Sequence, residues 1–258
     1  MDLQISGKVA LITGGSRGLG RQAALSLANE GCKIAICART SDTLSQVVED
    51  MKDKGHEVIG VEADMTTPEG ANEFYSKSVA TFGKVDIVVN NVGGTKGGRD
   101  FDSTTDEDWL ETINLNLMSA VRLTRLVLPG MKQSHWGRIV NIASIWGREA
   151  GGGMTYMAAK SALIAFSKHL GLSLAPYNIL VNSLAPGSIR FPGGGWDRFV
   201  NNNSPEIVND FIKNQLPMGK FGWPEPIGDT VAFLCSERAD LITAASINVD
   251  GGQSKSLI

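Results

Sequence analysis

The chain has 258 residues, of which 42% are hydrophobic and 20% are charged, and its formal net charge is −3 at pH 7. This composition is ordinary for a globular protein that buries a full core, and the small negative charge argues against a broad nucleic-acid-binding surface. No apolar run approaches the roughly 20 residues that span a bilayer, so a membrane protein is not expected.

Apolar, strand-like runs alternate with helix-like segments along the chain. The predicted strands are KVALIT (8–13), KIAICA (33–38), EVIGVEAD (57–64), VDIVVNN (85–91), GRIVNIAS (137–144), ILVNSLAPG (179–187) and ASINVDGG (245–252). The predicted helices cover 20–31, 41–55, 67–83, 104–131, 155–176 and 225–236, with Ser41 and Thr67 as N-caps. Strands that are apolar throughout and separated by helices indicate a parallel sheet covered on both faces. We therefore predict one α/β domain over residues 1–258, a doubly wound Rossmann fold with a seven-stranded parallel sheet.

Residues 189–218 interrupt this alternation. The segment is rich in Gly, Asn and Pro, and we expect an irregular excursion that carries one short helix. A loop of this length inside a compact domain is more often functional than a linker, which predicts a lid over a substrate site. Gly193–Gly195 are candidate hinges. Trp196 and Phe199 either close over a ligand or pack in the core or against another subunit.

The first predicted strand runs into TGGSRGLG (13–20), and a predicted helix follows. Glycines at this place allow a tight turn and a close approach of a pyrophosphate, and the helix N-terminus supplies N–H groups for its charge. The spacing is Gly14-x-x-x-Gly18-x-Gly20 rather than G-x-G-x-x-G, and Arg21 stands where a Walker loop has lysine. The alternative interpretation is a glycine-rich turn that binds no ligand.

Two arginines indicate which dinucleotide such a loop would serve. The second predicted strand ends with Arg39 and lacks the acidic residue that binds the ribose hydroxyls of NAD. Arg39 and Arg17 stand where guanidinium groups can bind a 2′-phosphate. The alternative interpretation is that both are ordinary solvated surface arginines. Their two positions nevertheless favour NADP(H) over NAD(H) as the cofactor.

Three further side chains suit proton chemistry. Tyr156 and Lys160 lie four residues apart on a predicted helix and share one face, where an ammonium would lower the pKa of the phenol. Ser144 ends the fifth predicted strand, at the edge where open α/β sheets bind ligands, and could donate to a carbonyl oxygen. Chance is the alternative explanation for the Tyr-Lys pair, and a turn cap is the alternative for the serine.

These motifs, taken in order over nearly the whole chain, resemble those of the short-chain dehydrogenase/reductase family, in particular its 3-oxoacyl-[acyl-carrier-protein] reductase-like members. The motifs are TGGSRGLG (13–20), Asp64-Met65, NNVG (90–93), Asn116 seven residues after Trp109, Ser144, YMAAK (156–160), Pro186-Gly187 and VDGG (249–252). The resemblance implies hydride transfer between NADP(H) and a small-molecule carbonyl or alcohol substrate, without a metal ion.

The resemblance also implies a catalytic tetrad. Tyr156 would be the general acid in reduction and the base in oxidation, Lys160 would lower its pKa and hold the nicotinamide ribose, and Ser144 would polarise the carbonyl. Asn116 would bind a water in a proton relay that leads from Lys160. The implied cofactor contacts are Gly14, Ser16, Arg17, Gly18, Leu19, Gly20, Arg39, Asp64, Met65, Asn91, Gly93, Tyr156, Lys160, Pro186, Gly187 and Ile189.

Within this implied site, Asp64 and Met65 would contact the adenine, Asn91 the adenine ribose region, and the Ile189 backbone the carboxamide. Two positions depart from the family pattern. Tyr156 follows Ser144 by twelve residues, one fewer than is common, so the loop between them reshapes the substrate site.

The second departure is Phe191, which stands where family members often have threonine. The change puts the usual clamping of the cofactor at this position in doubt. Ser188 is a candidate replacement for the missing hydroxyl.

Members of the family are commonly homotetramers that pack through helices at about 105–130 and 155–176 of this chain, so we expect a homotetramer or a homodimer. The N-terminal residues show no signal-peptide pattern. Three cysteines without metal-ligand spacing suit a reducing compartment, so a cytoplasmic location is expected.

Three functions stay open on the sequence. The leading one is an NADPH-dependent carbonyl reductase, which converts a ketone to a secondary alcohol. An NAD(P)⁺-dependent alcohol or sugar dehydrogenase would use the same fold and tetrad oxidatively, and a non-catalytic cofactor-binding sensor would keep the fold without needing the tetrad. A hydrolase is disfavoured because no histidine partner for Ser144 lies at the sheet edge.

Overall fold

A computed structural model describes residues 1–98 and 100–257, and in these ranges the chain forms seven β-strands and nine α-helices besides short 3₁₀ turns. The strands are β1 (Val9–Thr13), β2 (Lys33–Ala38), β3 (Val58–Glu62), β4 (Ile87–Asn90), β5 (Gly137–Ile142), β6 (Ile179–Pro186) and β7 (Ser246–Val249). The helices are α1 (Gly18–Asn29), α2 (Ser41–Lys52), α3 (Pro68–Phe82), α4 (Asp106–Ile113), α5 (Ser119–Ser134), α6 (Met154–Leu174), α7 (Gly195–Asn202), α8 (Pro205–Gln215) and α9 (Pro224–Leu234).

All seven strands form one parallel sheet in the order β3-β2-β1-β4-β5-β6-β7, which confirms the predicted doubly wound fold. Successive side chains of β1 point to opposite faces, so Ala10 and Ile12 join one apolar core while Val9 and Leu11 join the other. The direction of winding reverses between β1 and β4. The loops that follow these two strands therefore diverge and open a crevice at the carboxyl edge of the sheet.

Two predicted elements differ from the observed ones. The predicted helix over 104–131 is divided into α4 and α5 by one π-helical turn at Asn114–Met118. The segment 189–218 contains two helices, α7 and α8, rather than one short helix. Pro205 occupies the first turn of α8, which is a usual helix-start position and was the overlooked signal in that segment.

The two predicted N-caps had different outcomes. Thr67 caps α3 as predicted, because its hydroxyl accepts a hydrogen bond from the N–H of Gly70 at 3.0 Å. The prediction for Ser41 was wrong by one residue, since Ser41 is the first residue of α2 and Thr40 precedes it without a side-chain capping bond.

None of the helices in the described ranges is long and apolar enough to cross a membrane. Cys32, Cys37 and Cys235 are buried and unpaired. Burial raises the pKa of the Cys32 and Cys37 thiols to about 12 and also raises that of Cys235. Protonated and buried thiols of this kind are unreactive, so the cysteines act as small apolar side chains of the core.

Candidate active site

Thr13 and Asn91 hold the two loops of the crevice together. The side-chain Nδ2 of Asn91 donates to the carbonyl oxygens of Thr13, at 2.9 Å, and Gly14, at 3.2 Å. The Thr13 hydroxyl accepts from the N–H groups of Asn91, at 2.9 Å, and Val92, at 3.1 Å. Asn91 was predicted near the adenine ribose, but its amide is bound to the backbone of the glycine loop. Its side chain therefore positions that loop.

The glycine loop is shaped as a phosphate cradle. Gly14 has a φ of +66°, which favours glycine, and a Cβ on Gly20 would collide with the carbonyl oxygen of Gly14. Helix α1 begins at Gly18, and Arg17 before it forms no side-chain capping bond. The N–H groups of the first turn of α1 therefore have no side-chain cap. An anionic group such as a pyrophosphate fits this donor set.

Arg17 and Arg39 lie beside this cradle and are both exposed. Neither guanidinium forms a salt bridge with any residue in 1–98 or 100–257. Partial burial raises the pKa of Asp64, but hydrogen bonds from Thr66 outweigh this effect, and the charge of Arg39 lowers the pKa further. Arg39 and Asp64 therefore lie close together at the ends of β2 and β3.

Ser144, Tyr156 and Lys160 come together at the end of β5. Ser144 lies two residues beyond the end of β5, and its hydroxyl is hydrogen-bonded to Tyr156 on α6. Lys160, one turn further along α6, is buried, and its Nζ donates to the carbonyl oxygen of Ile142 at 2.7 Å. The structure thus brings together three members of the predicted tetrad on one strand end and one helix face.

Asn116, the fourth predicted member, lies in the π-helical turn between α4 and α5. Its Nδ2 donates to the carbonyl oxygens of Gly94, at 2.7 Å, and Thr112, at 2.8 Å, while its Oδ1 accepts from the N–H of Gly94 at 3.1 Å. A Cβ on Gly93 would lie 2.8 Å from Asn116 Oδ1 and 2.9 Å from Lys160 Nζ. Gly93 therefore allows Asn116 and Lys160 to approach each other from either side of the loop after β4.

The profile of the short chain dehydrogenase family matches residues 8–194. The chain belongs to the short-chain dehydrogenase/reductase family. The resemblance seen in the motifs is thereby confirmed, and the protein is an oxidoreductase of a family that works with a nicotinamide cofactor.

Relatives extend over the whole chain. The 3-oxoacyl-[acyl-carrier-protein] reductase FabG of Aquifex aeolicus is 35% identical over 258 residues, covering 98% of this chain and 99% of that protein. The (2S)-[(R)-hydroxy(phenyl)methyl]succinyl-CoA dehydrogenase subunit BbsD of Thauera aromatica is 33% identical over 250 residues, covering 97% and 98%. The structure of L-sorbose reductase from Gluconobacter frateurii, complexed with NADPH and L-sorbose, has a TM-score of 0.93 and 34% identity over 100% of both chains. Ketoreductases are thus among the relatives of this short-chain dehydrogenase/reductase.

Burial governs the charges of the tetrad in this family member. It raises the pKa of Tyr156 to about 12, against the lowering effect of the hydrogen bond from Ser144, and it lowers the pKa of Lys160 to about 7. The Lys160 Nζ lies 5.5 Å from the centre of the Tyr156 ring. The predicted lowering of the Tyr156 pKa by Lys160 is therefore not observed, because burial disfavours the charged form of both groups. The tyrosine stays protonated at neutral pH.

Three of the predicted cofactor residues direct their side chains into the core. Met65 and Ile189 are 2% and 7% exposed, and Leu19 packs against the same core as Ile189. Any cofactor contact by these residues has to come from the backbone. Ser16 lies in the loop itself and is partly buried.

Pro186 and Gly187 end β6 and lead into Ser188, which is bound to the C-terminal segment. The N–H of Ser188 donates to Gln253 Oε1 at 2.7 Å, and Gln253 Nε2 donates to the Ser188 hydroxyl at 2.9 Å. Ser188 is therefore held by Gln253 and does not stand free as a replacement for the missing threonine. Gln253 was missed in the sequence because nothing local connects it to a residue 65 positions away.

The segment 189–218, which we call the lid, has its own aromatic cluster centred on Trp196. The ring centroid of Trp196 lies 4.7 to 6.3 Å from those of Trp146, Phe199, Phe211 and Phe221. Trp146 also donates its backbone N–H to the Ser144 hydroxyl at 3.2 Å. Trp146 therefore connects Ser144 to the lid.

We expect a pH-dependent effect of Lys160→Met on stability. The pKa of Lys160 is about 7 in the folded chain and about 10 in an unfolded chain, so the unfolded wild type binds more protons between these values. Lys160 therefore makes the free energy of unfolding of the wild type increase with pH across this window. The variant lacks this increase. Relative to wild type, the stability of Lys160→Met should fall by roughly 3 kcal/mol between pH 7 and pH 9.5.

Urea unfolding at both pH values and one protein concentration measures this difference. Lys168→Met is the matched control, because Lys168 is an exposed lysine on the same helix. A Lys160→Met difference that stays constant with pH, like that of the control, would show that burial does not disfavour the Lys160 ammonium.

Proposed function

We propose that the protein is an NADPH-dependent carbonyl reductase that converts a ketone to a secondary alcohol. The observation that carries this proposal is the grouping of Ser144, Tyr156 and the buried Lys160 at the carboxyl edge of the sheet, with Tyr156 hydrogen-bonded to Ser144. When bound, the cofactor supplies the hydride that the carbonyl carbon receives. The glycine loop and the first turn of α1 would hold its pyrophosphate.

Tyr156 and Ser144 act on the carbonyl oxygen. The Ser144 hydroxyl accepts from the N–H of Trp146 and donates to Tyr156, and with substrate bound it would turn this proton to the substrate oxygen and polarise the C=O bond. As that oxygen gains charge, Tyr156 transfers its phenolic proton to it. The product is then a neutral alcohol, and the tyrosine is left to be reprotonated from the Lys160 side, through the water relay predicted at Asn116.

The state of Tyr156 favours reduction over the alternatives. A general acid has to be protonated before the reaction, and a pKa of about 12 meets that condition at neutral pH. An oxidative dehydrogenase would need the phenolate as base, which the burial of Tyr156 disfavours. A non-catalytic sensor would have no use for Ser144, Tyr156 and Lys160 assembled at one strand end.

NADP(H) is the proposed cofactor because Arg17 and Arg39 are exposed beside the cradle without a salt bridge in the described residues. A 2′-phosphate offers them a charged partner, whereas the two ribose hydroxyls of NAD do not. Two structural relatives point the same way. L-Sorbose reductase and a variant of the actinorhodin polyketide ketoreductase were both solved with NADPH.

We expect NADPH consumption with at least one ketone, and its loss in Tyr156→Phe. The panel comprises β-ketoacyl thioesters, α-diketones, aromatic ketones and keto-sugars, each with NADPH and NADH. Removal of the general acid should lower kcat by about 10²- to 10⁴-fold while NADPH binding persists. Absorbance at the reduced-nicotinamide band measures turnover.

Tyr177→Phe is the control for this experiment, since Tyr177 is 37% exposed and lies at the end of the 3₁₀ turn before β6. Turnover that survives in Tyr156→Phe would contradict the acid role. Tight cofactor binding without turnover of any substrate would favour the sensor alternative, and binding of neither nicotinamide cofactor would overturn the proposed function.

We expect Arg39→Ala to weaken NADPH binding and to leave NADH binding nearly unchanged. Loss of a charged hydrogen-bond donor to the 2′-phosphate should raise the NADPH Kd by about tenfold or more. Fluorescence titration with each cofactor measures the two constants. Arg21→Ala is the control, because Arg21 lies on α1 and pairs with Asp50 at 3.2 Å. Equal losses for NADPH and NADH would contradict a phosphate-binding role.

We also propose a homotetramer or homodimer that packs through α4, α5 and α6. Leu110 on α4 and Leu172 on α6 are each 63% exposed, which leaves apolar surface on two of these helices. Sedimentation equilibrium of the wild type and of Leu110→Glu should show an oligomer that the charge weakens. A wild-type monomer at micromolar concentration would contradict this proposal.

A further inference from the structure

The ring of Phe191 lies against the glycine loop at Gly18. A Cβ built on Gly18 would be 2.5 Å from Phe191 Cζ, 2.6 Å from Cε2 and 3.0 Å from Cδ2, so only a glycine permits the ring to sit there. The ring is partly buried, and it packs against the apolar core to which Leu19 also belongs. Phe191 thus covers the start of α1, the helix end whose N–H groups form the cradle.

The first residues of the lid hold the ring in this position. Asp197 accepts from Arg190 Nε at 3.1 Å and from the N–H of Gly193 at 3.0 Å. The N–H of Gly194 donates to the carbonyl oxygen of Phe191 at 2.9 Å, and a Cβ on Gly194 would lie 3.0 Å from the ring. The ring is therefore placed between Gly18 and Gly194 by a turn that the Asp197 carboxylate closes.

On the N-terminal side of this turn, the backbone is hydrogen-bonded to Gly222. Ile189 pairs with Gly222 in a parallel bridge, and the N–H of Arg190 donates to the carbonyl oxygen of Gly222 at 2.9 Å. Beyond it, Gly193 has a φ of +71° and no atom within 4 Å of its Cβ position. Residues 188–190 are therefore held in place, and withdrawal of the Phe191 ring has to open the turn that the Gly193 and Gly194 N–H groups close.

We propose that Phe191 and the pyrophosphate of the dinucleotide compete for the same place on Gly18. The inference rests on the proposed function, because it concerns the cofactor that the reductase would bind. A pyrophosphate held by the first-turn N–H groups of α1 needs contact with the Gly18 backbone, and the ring already fills that contact. Cofactor binding therefore displaces Phe191 and, with it, the beginning of the lid.

The competition has a measurable consequence for affinity. A ligand that binds only when the ring is withdrawn has an apparent Kd equal to its intrinsic Kd divided by the fraction of molecules in the withdrawn state. A smaller side chain at position 191 removes this reduction in apparent affinity. The displaced lid segment also carries Trp196, whose ring packs against Trp146 beside Ser144, so cofactor binding would rearrange this side of the proposed substrate site before substrate enters.

The test is the NADPH dissociation constant of Phe191→Ala, measured by fluorescence titration. We expect binding about tenfold tighter than in wild type, with Phe191→Leu between the two. Phe211→Ala is the matched control, since it removes another ring from the lid that packs on Trp196, Phe199 and Phe221. The control should keep the wild-type constant.

Three outcomes would overturn the inference. Unchanged or weaker NADPH binding by Phe191→Ala would show that the ring does not compete, or that it holds the cofactor. Equal tightening in Phe211→Ala would assign the effect to general loosening of the lid. Binding of neither NADPH nor NADH by wild type and variants alike would overturn the proposed function itself, and so separates the two failures.

Hydrogen exchange followed by mass spectrometry gives a readout independent of activity. On addition of NADPH to the wild type, amides of residues 14–21 should exchange more slowly, and those of residues 191–198 should exchange faster as the Gly193 and Gly194 hydrogen bonds open. In Phe191→Ala, NADPH should still slow amide exchange in residues 14–21, but it should change the exchange rate of residues 191–198 less than in the wild type. Slower exchange in both segments of the wild type would mean that the ring stays in place, which contradicts the competition.

Discussion

The hydrogen bonds from Asn91 to Thr13 and Gly14 are the contacts on which the site depends. They join the ends of β1 and β4 where the winding of the sheet reverses and the two following loops diverge. Divergence leaves backbone groups without strand partners, and the Asn91 amide and the Thr13 hydroxyl satisfy them. The path of the glycine loop, the start of α1 and the position of its N–H groups all follow from this arrangement.

The side chains proposed for catalysis lie on or next to long regular elements of the fold. Ser144 lies two residues beyond the end of β5, while Tyr156 and Lys160 lie on the long helix α6. This placement buries Lys160 and leaves Tyr156 partly exposed, and desolvation lowers the pKa of the lysine and raises that of the tyrosine. The same desolvation that would make the pair a poor ion pair raises the pKa of Tyr156, which suits the proton-donor role proposed for it.

The lid connects the two ends of the crevice. Its aromatic cluster reaches Trp146, whose backbone N–H bonds the Ser144 hydroxyl, and its first residues place Phe191 on Gly18. One segment therefore contacts both the catalytic serine's neighbour and the dinucleotide cradle. Its two short helices are joined by ring contacts of Trp196 and Phe199 on α7 with Phe211 on α8.

Local patterns in the sequence determined the parallel sheet, the glycine loop, the shared face of Tyr156 and Lys160, and the family, because periodicity, turn chemistry and motif spacing depend on residues near one another. The roles of Asn116, Arg17 and Arg39, the oligomeric state and the cytoplasmic location stay predictions. Only the tertiary structure decided that Asn91 binds the loop 78 residues before it, that burial keeps Tyr156 protonated, and that Phe191 covers Gly18. Those features arise from contacts and desolvation between distant segments, which no short pattern in the chain encodes.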